Sequence, residues 1–358
     1  MMRVVGLIIA VGGLLLSGCE KKPAGGPRQL TVYMYSEYID PELPVQFEKL
    51  TGIKPRIVVY ENSEEMLAKL QQGGGAGQYD VIVVSDVVVP ALIKLGLVRP
   101  LDAGKIPNRV NVAPRFCDPP FDPGSKYSMP YQWGTVGLVY AKDKMPPGDV
   151  SWAVVFEPSK QIGPFILMDS MRDMLGVALK YQGKSMNSRK AEEVKAAGEL
   201  ILRAKRSPNS LGFEGGVGGK SRVAAGTAAA AVVYNGDAVK AAAENDKSGS
   251  AVKIAFTVPK EGGVIWTDVM MITAKAANSD GAHRFINFIL DAKAGAQLSN
   301  FNRYATPNAA SMPMIRPVDR ENPAIYPPET TMQKLEYLND LDQDTRIYDE
   351  VWTTIKAR

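Results

Sequence analysis

Leu30-Thr-Val-Tyr-Met-Tyr35 alternates as a β-strand does, and the chain from there to Leu97 repeats strands with helices between them. Residues 41–50 have helical spacing that stops at Thr51-Gly52. Residues 55–60 form a second strand, and Asn62-Ser-Glu-Glu65 is a capping-box pattern opening a helix to Leu70. Residues 80–84 are a continuous apolar run of the kind buried on both faces of a parallel sheet, and residues 90–97 suit another helix. Strands alternating with helices predict an α/β fold with a parallel sheet.

Two interruptions divide this pattern. Pro130-Tyr-Gln-Trp-Gly134 breaks it before a strand over 135–140, and Pro259-Lys-Glu-Gly-Gly263 breaks it again before a strand over 264–272. A second lobe inserted into the first accounts for both. Residues 29–133 and 264–312 are expected to form lobe 1, residues 134–263 lobe 2, and residues 313–358 a C-terminal helical segment packing on the lobes. Within the insert, residues 188–204 read as a long amphipathic helix, and an alanine-rich segment over 223–231 runs into the strand Val232-Val-Tyr234. After Tyr304-Ala-Thr-Pro-Asn308 the chain is loop-rich, with helices expected from about Thr331.

The chain has 358 residues, 45% apolar and 22% charged, a size and composition that suit two lobes with sizeable cores. Its net charge of +4 is small and no Lys/Arg-rich run occurs, so nucleic acid is not an expected partner. The one histidine, His283, lies in the helical run Ala282-His-Arg-Phe-Ile286 and reads as a half-buried helix residue. Histidine-dependent nucleophile systems and multi-histidine zinc sites need more than it offers.

The N-terminus reads as a targeting segment. Arg3 precedes an apolar run over 4–16, too short for the ~20 residues that cross ~30 Å of hydrocarbon, and Leu16-Ser-Gly-Cys19 follows. That ending resembles the lipobox of bacterial lipoproteins. The resemblance implies a signal peptide over 1–18, lipid modification of Cys19 as a membrane anchor, and a flexible tether over 19–28 in an extracytoplasmic protein. Cys117 then stands alone, without a disulfide partner.

Several motifs fail on inspection. Glu214-Gly-Gly-Val-Gly-Gly-Lys-Ser221 has a carboxylate where a phosphate loop needs glycine, and Gly73-Gly-Gly-Ala-Gly77 precedes a strand instead of joining a strand to a helix. Asp340-Leu-Asp-Gln-Asp344 begins like a calcium loop, but Thr345 and Val351 replace its glycine and glutamate. Paired carboxylates for hydrolysis leave no spacing signature, so an extracytoplasmic carboxylate hydrolase stays as an alternative.

A positive signal lies in a series of short motifs in one order. They are Tyr33-Met-Tyr-Ser-Glu-Tyr38, Leu50-Thr-Gly-Ile53, Tyr79-Asp80 with Ser85, Met129-Pro-Tyr-Gln-Trp-Gly134 and Tyr234-Asn-Gly236. Pro259-Lys-Glu-Gly-Gly263 with Trp266-Thr-Asp268, Tyr304-Ala-Thr-Pro-Asn308 and Arg320-Glu-Asn-Pro-Ala-Ile-Tyr-Pro-Pro328 complete it. From Leu30 onward the chain resembles the spermidine/putrescine-binding proteins of polyamine ABC transporters, which are extracytoplasmic solute-binding proteins. The resemblance implies a periplasmic-binding-protein fold of type II character, with two α/β lobes and a ligand cleft between them. It also implies a monomer that delivers its ligand to an ABC permease, with no cofactor, no metal and no catalytic residue.

Carried over position by position, the resemblance implies ligand contacts from Tyr35, Ser36, Glu37 and Tyr38 of the first lobe, Ser85 and its neighbour Asp86, and Asp173. Tyr234, Trp266 with Asp268, and Tyr304 complete the set. These residue types suit a polyamine: carboxylates replace the hydration of each ammonium, and aromatic faces pack on methylenes while attracting cations by roughly 0.5–2 kcal/mol per contact. The pattern also departs from the family. Val87, Ser170 and Leu338 stand where a tyrosine, a carboxylate and an amide are usual, Asp169 stands beside Ser170, and Tyr35 and Tyr234 replace tryptophans. A polyamine or another small organic cation is therefore the expected ligand, with a diamine or a more apolar monocation favoured over spermidine. Ferric iron held by Tyr33, Tyr35, Tyr38 and Tyr304 is the alternative among binding proteins.

Overall fold

The computed structural model describes residues 29–61, 63–72, 75–215 and 218–358. The signal segment, the tether with Cys19 and the capping residue Asn62 lie outside them. Among the described residues ten strands form one sheet: β1 (Gln29–Tyr35), β2 (Lys54–Tyr60), β3 (Val81–Ser85), β4 (Val98–Arg99), β5 (Ser128–Ala141), β6 (Phe165–Met168), β7 (Ser210–Glu214), β8 (Ala230–Tyr234), β9 (Ile254–Thr257) and β10 (Ile265–Thr273). Their order is 2-1-3-10-5-8-6-7, with β4 paired to β10 and β9 to β5.

β1 runs parallel to both β2 and β3, as the alternation of strands and helices predicts. Its two faces feed different cores because successive side chains point oppositely. Leu30, Val32 and Met34 pack with Leu43 and Phe47 of the helix Glu42–Thr51 and with Phe285 and Ile286 of the helix Ser279–Ile289. Tyr33 on the other face joins Ile82, Val84, Met66 and Leu70. Each fully buried Leu, Ile or Phe contributes roughly 1.5–3 kcal/mol, so a sheet covered on both faces holds lobe 1 firmly. Lobe 2 repeats the arrangement around β8 and β6, with the helices Met171–Tyr181 and Ala191–Lys205 on one face and Gly218–Ala224 and Asn235–Lys247 on the other.

β5 connects the two lobes. Residues Ser128 to Thr135 pair antiparallel with β10, and from Val136 onward the same strand pairs with β8 and β9. The chain returns between β9 and β10 through Gly262, whose φ of 98° and closeness to the Lys334 backbone exclude a side chain. The last helix, Thr345–Ala357, lies on lobe 2. Tyr348 Oη donates to the Ser188 carbonyl at 2.8 Å, and Lys205 Nζ donates to the Ile355 carbonyl at 2.7 Å.

Four local expectations change. The helix expected over 188–204 is Ala191–Lys205, because Ser188 Oγ accepts from Lys190 N and closes a turn first. The alanine-rich segment splits at Gly226, φ 77°, into the end of one helix and the start of β8. Helices expected from about Thr331 amount to one short turn, Glu329–Met332, until Thr345, because the chain between is tied to β10 by Ile265 N donating to the Glu336 carbonyl. His283 is buried, not half-buried: Nε2 accepts from Asp102 N at 2.9 Å and Nδ1 donates to the Ser279 carbonyl at 2.7 Å.

Candidate functional site: an acidic box of aromatic rings

Strand ends of both lobes meet beside the crossing of β5. β1 ends at Tyr35, and the turn after it passes through Glu37 at a φ of 54°, which folds Tyr38 back under the sheet edge. β3 ends at Ser85, and Asp86 opens the short turn Asp86–Val88. β10 sets Asp268 opposite Ser85 and Trp266 opposite Gly134. Period-two alternation gives Trp266 and Asp268 one face, and a bulge follows Asp268. From lobe 2, β8 ends at Tyr234 and the helix Met171–Tyr181 carries Asp173 in its first turn.

The rings form a connected wall. Trp266 meets Tyr234 at 5.8 Å and Tyr304 at 5.2 Å between centroids, both edge-to-face, and Tyr38 meets Tyr304 at 5.6 Å and Tyr35 at 5.8 Å. Two glycines allow the approach. A Cβ on Gly134 would stand 2.5 Å from the Trp266 ring, and one on Gly236 2.5 Å from the Tyr304 ring.

Three phenols of this wall face acids, while the Tyr35 hydroxyl pairs with Ser63 Oγ at 3.0 Å. Tyr38 Oη donates to Asp268 Oδ2 at 2.6 Å, and Tyr234 Oη to Asp173 Oδ2 at 3.1 Å beside Ser170 Oγ at 2.5 Å. The Asp237 carboxylate faces the Tyr304 phenol and raises its pKa. Asp86 accepts from Thr267 N at 3.0 Å and from Ser85 Oγ at 3.1 Å. Asp86, Asp173 and Asp268 are buried. Burial raises the Asp86 pKa to about 8 against the lowering effect of its Thr267 bond, and neighbouring Asp268 adds to the rise. Burial likewise raises Asp268 to about 7, opposed by the Tyr38 bond and assisted by Asp173. The phenols of Tyr38, Tyr234 and Tyr304 are held well above 10, first by burial and then by these carboxylates. Neither Asp86 nor Asp268 has a Lys or Arg within ion-pair distance among the described residues. The box is thus built to receive positive charge between flat apolar faces.

Of the residues singled out in the sequence, Tyr35, Tyr38, Ser85, Asp86, Asp173, Tyr234, Trp266, Asp268 and Tyr304 come together here. Ser36 and Glu37 do not. The left-handed turn leaves them at the rim, where Ser36 Oγ donates to Glu61 at 3.2 Å and Glu37, 61% exposed, lies 3.5 Å from Lys240. Asp169 cannot stand in for the acid missing at Ser170, because it pairs with Lys356 at 2.9 Å on the surface. Leu338 packs against the helix at Gly176. The four tyrosines considered for iron are divided: Tyr33 stacks on Tyr79 at 4.2 Å in the opposite core, while burial holds the phenols of Tyr38 and Tyr304 well above 10. Tyr131, Asp237 and Lys220 escaped the sequence reading. Asp237, three residues after Tyr234, shares its side of a helix start, a spacing that could have exposed it. Tyr131 donates to the Tyr38 carbonyl at 2.8 Å, a long-range contact without local signature.

A separate shallow recess, bounded by Arg115, Phe116, Phe121, Thr267 and Tyr337, lies on the other face of β10 and has no carboxylate in its lining.

The family model described as bacterial extracellular solute-binding protein matches residues 42–322. The chain is 34% identical to the putrescine/cadaverine-binding protein of Pseudomonas aeruginosa, over 96% of this chain and 97% of that one. It is 32% identical to the spermidine/putrescine-binding periplasmic protein of Salmonella typhimurium, over 98% and 97%. Among solved structures, the spermidine/putrescine ABC transporter substrate-binding protein of Streptococcus pneumoniae superposes with a TM-score of 0.78 at 28% identity, covering 92% of this chain and 98% of that one. Two α/β lobes sharing a crossing strand, an acidic aromatic box between them, and matches running along nearly the whole chain lead to one assignment: the protein belongs to the bacterial extracellular solute-binding protein family.

Proposed function

We propose that this chain is the substrate-binding component of an ABC importer, that it takes a diamine or a similar small organic cation, and that it presents the ligand to a permease. The observation that carries the reading is the buried pair Asp86 and Asp268, with no Lys or Arg within ion-pair distance among the described residues, beside a wall of tyrosine and tryptophan rings. A buried carboxylate without a cation is costly, and a ligand ammonium removes that cost while its methylenes lie on the rings. Relatives named for putrescine, cadaverine and spermidine support the ligand class. The protein binds and releases its ligand unchanged, as a monomer, and is held outside the cytoplasmic membrane by a lipid on Cys19. Mass spectrometry of small molecules released from protein purified without refolding tests the proposal. A diamine or related amine is expected; recovery of a hydrolysis product, an anion or iron would overturn it.

A further inference from the structure

Asp237 differs from the other acids of the box. It sits in the first turn of the helix Asn235–Lys247, which begins directly after Tyr234, and faces the Tyr304 phenol that packs on Gly236. Its other oxygen contact is internal: Lys220 Nζ lies 2.9 Å from Asp237 Oδ1. Lys220 is itself 8% exposed, in the short helix Gly218–Ala224, and the Asp237 side chain is 23% exposed, so the pair is largely withdrawn from solvent on the lysine side. Its ammonium has the same chemistry as the end of a polyamine.

We propose that Lys220 is a specificity-determining residue: it is a built-in ammonium that neutralises Asp237 and so removes this acid from the set available to ligand. The inference rests on the amine-binding reading above and deepens it. A diamine needs two acceptor groups, and Asp268 with Asp86 and Asp173 supply them without Asp237. A triamine carries a further charge, and the carboxylate nearest Tyr304 is already paired. Removing the Lys220 charge leaves the half-buried Asp237 without an ion-pair partner, a state that a third ligand ammonium relieves and a diamine does not. The lysine therefore selects against the more highly charged ligand by occupying its counter-charge.

The test is calorimetry with putrescine and with spermidine on the wild-type chain, Lys220→Met and the double variant Lys220→Met with Asp237→Asn, with thermal unfolding of each. Lys220→Met is expected to shift the ratio of spermidine to putrescine affinity at least about tenfold toward spermidine, the worth of one added charge-assisted hydrogen bond. Spermidine should also raise the melting temperature of this variant more than that of the wild type. In the double variant the gain should vanish. A ratio within about twofold of wild type in a folded Lys220→Met protein, judged against that same tenfold expectation, overturns the role of Lys220 while leaving amine binding intact. Lys220→Gln serves if the methionine variant does not fold, and failure of both to fold makes the lysine structural and overturns the inference. Absence of binding to either amine in the wild type overturns the amine reading itself.

Discussion

Asp268 is where burial, hydrogen bonding and function converge. Its carboxylate accepts from Tyr38 at 2.6 Å and has no lysine or arginine beside it among the described residues. Replacing it with asparagine removes the charge and retains the shape. Truncating one partner of a desolvated pair costs about 2–5 kcal/mol, so Asp268→Asn should weaken diamine binding by roughly 30-fold or more in calorimetry, with the melting temperature of the ligand-free protein unchanged or higher. Undiminished affinity would remove Asp268 from the binding set. The raised pKa values of Asp86, about 8, and Asp268, about 7, add a pH dependence. Both lie above the ordinary carboxylate value, so the ligand-free folded protein holds extra protons. Stability from these groups is fullest below the unfolded pKa and declines as pH rises through 7 to 8. An ammonium favours the ionised acids and expels the protons. Titrations at pH 7 in buffers of different ionisation enthalpy should therefore show net proton release on binding, and affinity should fall as pH drops below about 7. Proton uptake, or none, would contradict the assignment. Trp266 and Asp268 could be chosen from sequence because two residues apart on a strand share a face. Ser36 and Glu37 could not be rejected, since their outward turn depends on a left-handed φ at a residue other than glycine.

The strand β5 fixes how the two lobes approach each other. Gly134 stands at the point where its pairing passes from β10 to β8, and a Cβ there would lie 2.3 Å from Asn235 Oδ1 and 2.5 Å from the Trp266 ring. Asn235 Oδ1 also accepts from Thr135 N at 3.0 Å and ties the helix start of lobe 2 to the crossing. Gly134→Ala should thus displace Trp266 or the helix. Overpacking of this kind costs about 1–3 kcal/mol, visible as a lower melting temperature together with weaker ligand binding. An alanine variant with wild-type stability and affinity would show that the approach is looser than these distances imply. The strands β1 to β3 were legible because each has a clear pattern and a break after it, as Thr51-Gly52 stops the intervening helix with Gly52 at φ 71°, whereas the two-residue β4 carries too little pattern to be read. The segment after Tyr304 was not legible either, since its course is set by ties to distant elements, such as Glu336 to β10, which no local propensity records.

Taken whole, the molecule is two lobes whose facing ends contribute opposite halves of one box, lobe 1 giving Asp86, Trp266 and Asp268 and lobe 2 giving Asp173, Tyr234 and Asp237. The interruption expected at Pro130-Tyr-Gln-Trp-Gly134 lies inside β5, which runs unbroken from Ser128 to Ala141, so the chain crosses there as strand. The charge state of the box could not be read from the sequence, because sequence distance hides Lys220 from Asp237 and Lys356 from Asp169. If Cys19 carries the anchor, wild-type protein expressed in a bacterial host should partition into detergent while Cys19→Ala stays in the aqueous phase. Equal partitioning of the two would remove the anchor. The most direct measurement is a calorimetric titration of putrescine into the purified, ligand-stripped protein at pH 7 to 8, with an equimolar carboxylate such as succinate as the control solute. Saturable one-to-one binding of the diamine, none of the diacid, and loss of the signal in Asp268→Asn is the predicted result; binding of the diacid, or no binding of any amine, would contradict the account.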